Sequence, residues 1–226
     1  MKEARYGWVV VWTTFVCLAL IFGVSYSFAA FFTSFASEFD AQRADVSWIF
    51  GLSGFVYFVL GTLGGILADR YGPRRVCSAG MVLIALGLLV TSRASALWMV
   101  YISYGLLVGL GIAFVYTPSI ASVQPWFTLR RGLAGGIASS GIGAGTLLVP
   151  VLVAMAMGEM PWREAMRVLA VVVLVLGLLA AGLLRRAPAS GRSGTGGTAS
   201  GLSLGETLRT PTFRWFYLAT VLASPV

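Results

Sequence analysis

The sequence GILADRYGPRR, residues 65–75, lies between two long apolar segments and decides the fold class of this chain. Gly72 and Pro73 favour a tight turn at this point. The turn is accompanied by one acid and three arginines: Asp69, Arg70, Arg74 and Arg75. A short basic turn between apolar segments is typical of the connection between two membrane-spanning helices.

The composition indicates that lipid surrounds most of the chain. Apolar residues make up 58% and charged residues 11% of the 226 residues, and the mean hydropathy is +0.88. Soluble domains carry about 25% charged residues. Six apolar segments are long enough to cross a bilayer, and each is predicted to be a helix because backbone in lipid must satisfy its own hydrogen bonds. They are residues 7–36, 46–68, 76–92, 95–121, 132–157 and 165–184.

The basic residues predict the orientation of these segments. Of the 16 Lys and Arg residues, 12 precede the first segment or lie in the second, fourth and sixth connections, and 4 lie on the other side. The positive-inside rule then places the N-terminus on the cytoplasmic side of a multi-pass protein of the cell (inner) membrane. The net charge of +8 is therefore interpreted as a topology signal, and no nucleic-acid partner is expected.

The sequence lacks the residues that most enzymes and metal proteins need. Histidine is absent, and the two cysteines, Cys17 and Cys77, lie in or beside apolar segments. No metal site, cofactor or catalytic residue is predicted, because no metal-ligand spacing and no nucleophile with a base are found. The chain is therefore predicted not to be an enzyme.

The chain is predicted to have three parts. Residues 1–186 form the six-span bundle, and residues 187–212 form a cytoplasmic linker rich in Gly and Ser. Residues 213–226 are apolar but too short to span a bilayer. We interpret them as the start of a truncated seventh span, and the alternative is an interfacial segment.

Two motifs resemble those of a known transporter family. The pattern G-x-x-x-D-R-x-G-x-R-R of residues 65–75 resembles the loop after the second span of major facilitator superfamily transporters. Residues 126–141, WFTLRRGLAGGIASSG, resemble the signature Y-F-x-K-R-R-x-L-A-x-G-x-A-x-A-G of the monocarboxylate transporters and their bacterial oxalate–formate antiporter-like relatives. The resemblance implies the N-terminal six-helix bundle of a 12-span fold, whose partner would be a missing C-terminal six-span half.

The resemblance also implies a function. A member of this family would be a secondary active transporter of a small organic anion, of monocarboxylate type, working by alternating access. Ala30 stands where animal members have a lysine that helps to hold the substrate, which puts their proton-coupled mechanism in doubt. The alternatives are a transporter of another solute, such as a sugar or a drug, and a six-span protein that does not transport.

In the superfamily, the loop after the second span acts as a cytoplasmic gate that latches the two halves together. The residues that match it are Gly65, Asp69, Arg70, Gly72, Arg74 and Arg75. Arg130 and Arg131, in the next cytoplasmic connection, are candidate partners for the Asp69 carboxylate. The alternative is that the loop only anchors the topology.

The predicted substrate path is weakly polar, because the apolar segments contain no Asp, Glu, Lys or Arg away from their ends. Helical spacing and position suggest these lining residues: Tyr26, Ser27, Ala30, Ser34, Tyr116 and Ser140. Tyrosines also occur as interfacial or core residues, and that interpretation stays open. Small residues that let helices approach closely are expected to serve packing, namely Gly105, Gly109 and Gly136.

Overall fold

The computed structural model describes residues 2–187 and residue 210. In that part of the chain, six helices are long and apolar enough to cross a membrane. They are α1 Lys2–Glu38, α2 Arg43–Tyr71, α3 Pro73–Thr91, α4 Leu97–Trp126, α5 Arg131–Glu159 and α6 Trp162–Leu183. The predicted all-α six-span bundle is confirmed. Each helix end differs by five residues or fewer from the end expected from hydropathy.

The bundle continues for a few residues beyond α6. Leu184 is buried, and residues 185–187 follow without regular structure. The rest of the predicted linker, up to residue 212, and the predicted seventh span, residues 213–226, lie outside the described residues apart from Thr210. The linker and the seventh span therefore stay predictions.

The turn between α2 and α3 has the sharp geometry that its sequence predicts. Gly72 adopts φ 92°, a conformation that side chains disfavour. Its N–H donates to the Ala68 carbonyl at 2.9 Å, which closes the end of α2. Pro73 then starts α3, at the helical position where its missing N–H costs nothing. This turn lies on the side that carries most of the basic residues, which we call the cytoplasmic side.

Glycines bring α1 and α5 into close contact. A Cβ added to Gly141 would overlap the carbonyl oxygen of Phe15, and one added to Gly145 would overlap that of Ala19. Such close approach of small residues is the usual way in which helices pack in a membrane. The position of α5 on α1 is therefore set by the backbone rather than by large side chains.

Of the three glycines that we expected to serve packing, two contact α2 and one has no close neighbour among the described residues. Gly105 of α4 packs against Leu52 of α2, and Gly109 packs against the Ser53 backbone, whose carbonyl oxygen lies 2.9 Å from the position of an added Cβ. At Gly136 of α5, an added Cβ would meet no neighbour within 4 Å. No helix of the described bundle packs against Gly136, so its expected role in packing stays a prediction.

The α4 helix is irregular in its outer half. A π-helical segment, Tyr101–Val108, interrupts it near the glycine contacts with α2. Tyr104 in this segment is fully buried, and its hydroxyl donates to the Val24 carbonyl of α1 at 2.8 Å. Short π-helical segments redirect side chains within a helix, and this one aims a tyrosine hydroxyl at α1. The contact fixes α4 against α1.

Burial divides the helices into two groups. In their most apolar stretches, α1 and α4 are each 56% buried, whereas α2 is 28% and α5 only 17% buried. Exposed large side chains are therefore common on α2 and α5, including Phe55, Phe58 and Leu147. The helices α1 and α4 form the centre of the described bundle, and α2 and α5 present open faces.

Candidate functional site

Three tyrosines from three helices come together inside the bundle. The ring of Phe22 of α1 lies 6.5 Å from that of Tyr57 of α2 and 5.6 Å from that of Tyr116 of α4, between centroids, and Tyr26 lies one turn further along α1. Tyr57 is close enough to both other tyrosines for electrostatic interaction. We call Tyr26, Tyr57 and Tyr116 the tyrosine cluster.

The tyrosine cluster lies deep within the helices and is partly open. Each of its members is at least ten residues from either end of its helix, or about 15 Å at 1.5 Å per residue. Tyr26 is 50% exposed, and Tyr57 and Tyr116 are half-buried. Phenol hydroxyls donate and accept hydrogen bonds, so the cluster offers three neutral donors at mid-membrane depth.

A small apolar cavity borders the tyrosine cluster on the outer side. It has a volume of about 310 Å³, and its lining includes Tyr26, Phe32, Ser47 and Phe50. The rings of Tyr26 and Phe50 meet edge to face, with centroids 6.2 Å apart. Tyr26 therefore belongs both to the cluster and to this cavity between α1 and α2.

The other residues expected to line a path are placed differently. Ser27 is fully buried, and its hydroxyl donates to the Gly23 carbonyl of its own helix at 2.7 Å, so it does not face open space in this structure and its place on a path stays a prediction. Ala30 and Ser34 are half-buried along α1. Ser140 is exposed on α5, and its hydroxyl donates to the Ile137 carbonyl at 2.7 Å. The structure thus brings together Tyr26 and Tyr116, but it does not join the serines to them.

On the cytoplasmic side, Asp69 lies in the last turn of α2 and is exposed. The only ion pair among residues 2–187 and 210 lies elsewhere, so Asp69 does not pair with Arg130 or Arg131. The Arg131 guanidinium instead donates through Nε to the Phe127 carbonyl at 2.6 Å. Neither arginine therefore forms the predicted ion pair with Asp69 within the described residues.

An arginine that the sequence analysis did not single out contacts the end of α2. Arg186, just after α6, donates to the Ala68 carbonyl at 2.6 Å and also to the Asp69 carbonyl. A cation suits this position, because the last carbonyls of a helix carry partial negative charge. Arg186 also lines a cleft of about 420 Å³ that includes Asp69, Thr117 and Ser122. The gate motif is thus tied to the end of α6.

On the outer side, Arg163 at the start of α6 forms a dense set of contacts. Its guanidinium lies 2.8 Å from the Glu38 carboxylate and donates to the carbonyls of Ser92 and Ala94 at 3.0 and 2.8 Å. Trp162 donates through Nε1 to the same carboxylate at 3.0 Å, and its ring lies 4.4 Å from the guanidinium. We call these residues, Glu38, Ser92, Ala94, Trp162 and Arg163, the outer node.

The sequence analysis missed Tyr57, Arg186 and the pairing of Glu38 with Arg163. A tyrosine in the middle of an apolar segment was a usable signal for Tyr57, because a hydroxyl at that depth needs a partner. The contacts of Arg186 and Arg163 carry no such signal, since each joins residues more than 65 positions apart. Both residues looked only like topology determinants.

No metal site is formed by the part of the chain that the structure describes, where no three His, Cys, Asp or Glu side chains cluster. Cys17 and Cys77 are both free and buried. The Cys77 sulfur lies 3.6 Å from the Ser119 hydroxyl, inside the α3–α4 contact. These two thiols therefore belong to helix packing.

Comparison with known proteins places this geometry in a family. The model of the Major Facilitator Superfamily matches residues 14–226. Monocarboxylate transporter 13 of Rattus norvegicus is 39% identical over 184 residues, which cover 81% of this chain and 42% of the relative. Monocarboxylate transporter 11 of Homo sapiens is 34% identical over 77% of this chain and 37% of its own length. The fujikurins efflux protein of Gibberella fujikuroi is 32% identical over 62% of this chain.

Solved structures agree on the fold. A mutant of the peptide transporter POT superimposes with a TM-score of 0.67 at 21% sequence identity, over 94% of this chain and 45% of that chain. The chain thus spans about two fifths of the length of the curated relatives given above. These relatives are transporters and not enzymes. With its six membrane-length helices and the G-x-x-x-D-R-x-G-x-R-R sequence of residues 65–75, this multi-pass membrane chain belongs to the major facilitator superfamily and resembles the N-terminal half of monocarboxylate transporters.

Proposed function

We propose that this chain is the N-terminal half of a secondary transporter that moves a small organic anion by alternating access, with the tyrosine cluster on the substrate path. The tyrosine cluster is the observation that carries the proposal. It gathers hydrogen-bond donors at mid-membrane depth, where transporters of this superfamily bind substrate between their two halves. The names of the relatives point to monocarboxylates as the substrate class.

The lack of charged residues inside the six helices indicates what a second half must supply. Away from their ends, the six helices contain no Asp, Glu, Lys or Arg. An anion that crosses lipid needs a compensating charge, because an unpaired charge at the bilayer centre is costly. We propose that this bundle orients the carboxylate through tyrosine hydroxyls, while a cationic anchor comes from a second six-helix half.

The open faces of α2 and α5 support a second half as the partner. These two helices are the least buried of the six, and α5 also carries Gly136 and Gly143, where an added Cβ would meet nothing within 4 Å. Small residues on an open face allow another helix to approach closely. The α2 and α5 faces are therefore the proposed contact surface for the second half, in the membrane of the cell.

The test uses the protein translated from the whole open reading frame, purified and placed in proteoliposomes. Uptake of labelled lactate, pyruvate, formate and oxalate is measured with and without a proton gradient. We expect saturable uptake of at least one carboxylate. Uptake of a neutral solute without any carboxylate would contradict the anion assignment, and no uptake of any solute would favour a six-span protein that does not transport.

A Tyr57→Phe variant tests the tyrosine cluster. A hydrogen bond to a charged group contributes about 1.5–3 kcal/mol, so KM should rise about tenfold or more while the protein stays folded. Tyr101→Phe is the matched control, because its hydroxyl donates to the Asp45 carbonyl at the outer end of α2 and lies outside the cluster. Equal effects of the two substitutions on KM would argue against substrate contact by Tyr57.

A second candidate is the efflux of a larger organic metabolite. It is favoured by the similarity to the fujikurins efflux protein and by the aromatic lining of the cavity around Tyr26 and Phe50. The same proteoliposomes discriminate the two candidates. Competition of labelled carboxylate uptake by excess aromatic acid or polyketide would favour the larger substrate, whereas competition by short carboxylates alone would favour the monocarboxylate class.

A further inference from the structure

An open groove lies on the outside of the bundle between α1 and α6. It has a volume of about 470 Å³, and its walls are almost entirely apolar. The α1 wall includes Trp8, Trp12 and Val16, and the α6 wall includes Leu176, Leu179 and Leu183. Trp12 is 57% exposed and Leu179 is 64% exposed, so the groove opens away from the bundle centre. We call it the α1–α6 groove.

The cytoplasmic end of the α1–α6 groove is closed by a polar contact. The Tyr6 hydroxyl of α1 donates to the carbonyl of Leu183, which lines the groove, at 2.9 Å. The Arg185 guanidinium stacks on the same tyrosine ring, 4.9 Å from its centroid. A permanent cation therefore stands at the mouth of an apolar groove, and Arg186 beside it turns towards α2 instead.

The charges around this mouth are predominantly positive. Two consecutive arginines, Arg185 and Arg186, directly follow α6 at this mouth. This mouth lies on the cytoplasmic side by the distribution of basic residues. The inner leaflet of a membrane carries the anionic lipids, and each nearby basic residue contributes about 1 kcal/mol to their attraction.

We propose that the α1–α6 groove binds one acyl chain of an anionic phospholipid of the cytoplasmic leaflet, whose phosphate is held by Arg185. An acyl chain fits the chemistry of the walls, and the tryptophans suit the interface between chains and headgroups. No basic side chain lines the wall of the groove itself, so the Arg185 guanidinium beside Tyr6 at its cytoplasmic end is the charge that would hold the phosphate. Charge at the mouth is what makes the α1–α6 groove selective for an anionic lipid.

The test measures quenching of tryptophan fluorescence by lipids with brominated acyl chains. The purified chain is titrated in detergent with brominated phosphatidylglycerol or brominated phosphatidylcholine. The Trp8→Phe/Trp12→Phe double variant assigns the quenched signal to the groove. We expect half-maximal quenching at a concentration at least five times lower for phosphatidylglycerol than for phosphatidylcholine.

Three further variants separate the contribution of the Arg185 charge from that of the apolar walls of the groove. Arg185→Gln should abolish the preference for phosphatidylglycerol, and Arg167→Gln, at the outer end of the same helix, should preserve it. Val16→Phe fills the groove from an exposed position and should weaken quenching by both lipids. Equal quenching by both lipids in the unmodified chain would overturn the proposal, and so would equal effects of the two arginine substitutions. A lipid-free dimer that shields Trp8 and Trp12 would overturn it in favour of a second copy of this chain.

Discussion

Two acidic residues at opposite ends of this bundle, Glu38 and Asp69, differ in how they are used. At the outer end, the Glu38 carboxylate accepts hydrogen bonds from Arg163 and Trp162, and Arg163 also serves two backbone carbonyls. At the cytoplasmic end, Asp69 is exposed and has no ion-pair partner among the described residues, although its loop carries several arginines. Glu38 thus binds partners within the bundle, whereas the Asp69 carboxylate is exposed and available for a contact outside it.

This difference indicates that the outer end stabilises the bundle, whereas the Asp69 carboxylate at the cytoplasmic end is free to contact another part of the protein. The outer node joins the end of α1, the turn before α4 and the start of α6, so these three elements are fixed relative to one another. At the cytoplasmic end, Arg186 contacts the backbone carbonyls of Ala68 and Asp69, and the Asp69 side chain is exposed. We propose that the Asp69 carboxylate is the part of the gate that contacts a second half, and the alternative of a topology anchor makes a different prediction.

Removing the Asp69 charge at the cytoplasmic end is expected to have the largest effect on transport. In the protein translated from the whole reading frame, Asp69→Asn should reduce the maximal transport rate about tenfold or more, because a charge-assisted contact worth about 1.5–3 kcal/mol is lost. Its thermal midpoint in detergent should stay near that of the unmodified protein, since exposed substitutions shift stability by less than about 0.5 kcal/mol. Transport in proteoliposomes and thermal unfolding are measured on the same preparation.

Glu38→Gln is the matched control for Asp69→Asn, because it is the same acid-to-amide change at the other end. It should lower stability and leave the transport rate of the folded protein nearly unchanged. Reduced membrane insertion of Asp69→Asn, with normal transport by the inserted fraction, would favour the topology anchor.

The outer node should show an energetic coupling that the gate lacks. Glu38→Gln and Arg163→Gln should each destabilise the protein, and the double variant should lose less than the sum of the two. For a pair that is 27% and 40% exposed, a coupling of about 0.5–1 kcal/mol is expected. A thermodynamic cycle from denaturant unfolding measures it, with Arg93→Gln, an exposed arginine in the same outer turn as Ala94, as the control.

The smallest effect is expected from Arg186→Gln. The substitution removes a cation from two carbonyls at the end of α2, an interaction of about 0.3–1 kcal/mol at an exposed helix end. Transport should fall two- to fivefold, and Arg186→Lys should restore part of the loss. A loss as large as that of Asp69→Asn would show that the gate depends on its anchored backbone, which would weaken the proposed role of the carboxylate.

Much of the fold could be predicted because lipid imposes strong local rules. Helix number and the turn at Gly72 follow from hydropathy and from the restricted conformations of Gly and Pro. The tyrosine cluster was predictable only in part. Tyr26 and Tyr116 stood out as polar groups in apolar helices, but Tyr57 joins them only because α2 packs beside α1 and α4. No sequence spacing carries that relation.

The sequence by itself determined that this is a six-span membrane chain with a basic turn after its second helix, because burial in lipid and charge at the membrane surface act residue by residue. Only the tertiary structure decided which partners the charged side chains contact. Glu38 pairs with Arg163, 125 positions away in the sequence, and Arg186 contacts the end of α2, whereas Asp69 is exposed. A guanidinium reaches several acceptors at similar cost, so its partner is chosen by the packing of helices that lie far apart in the chain.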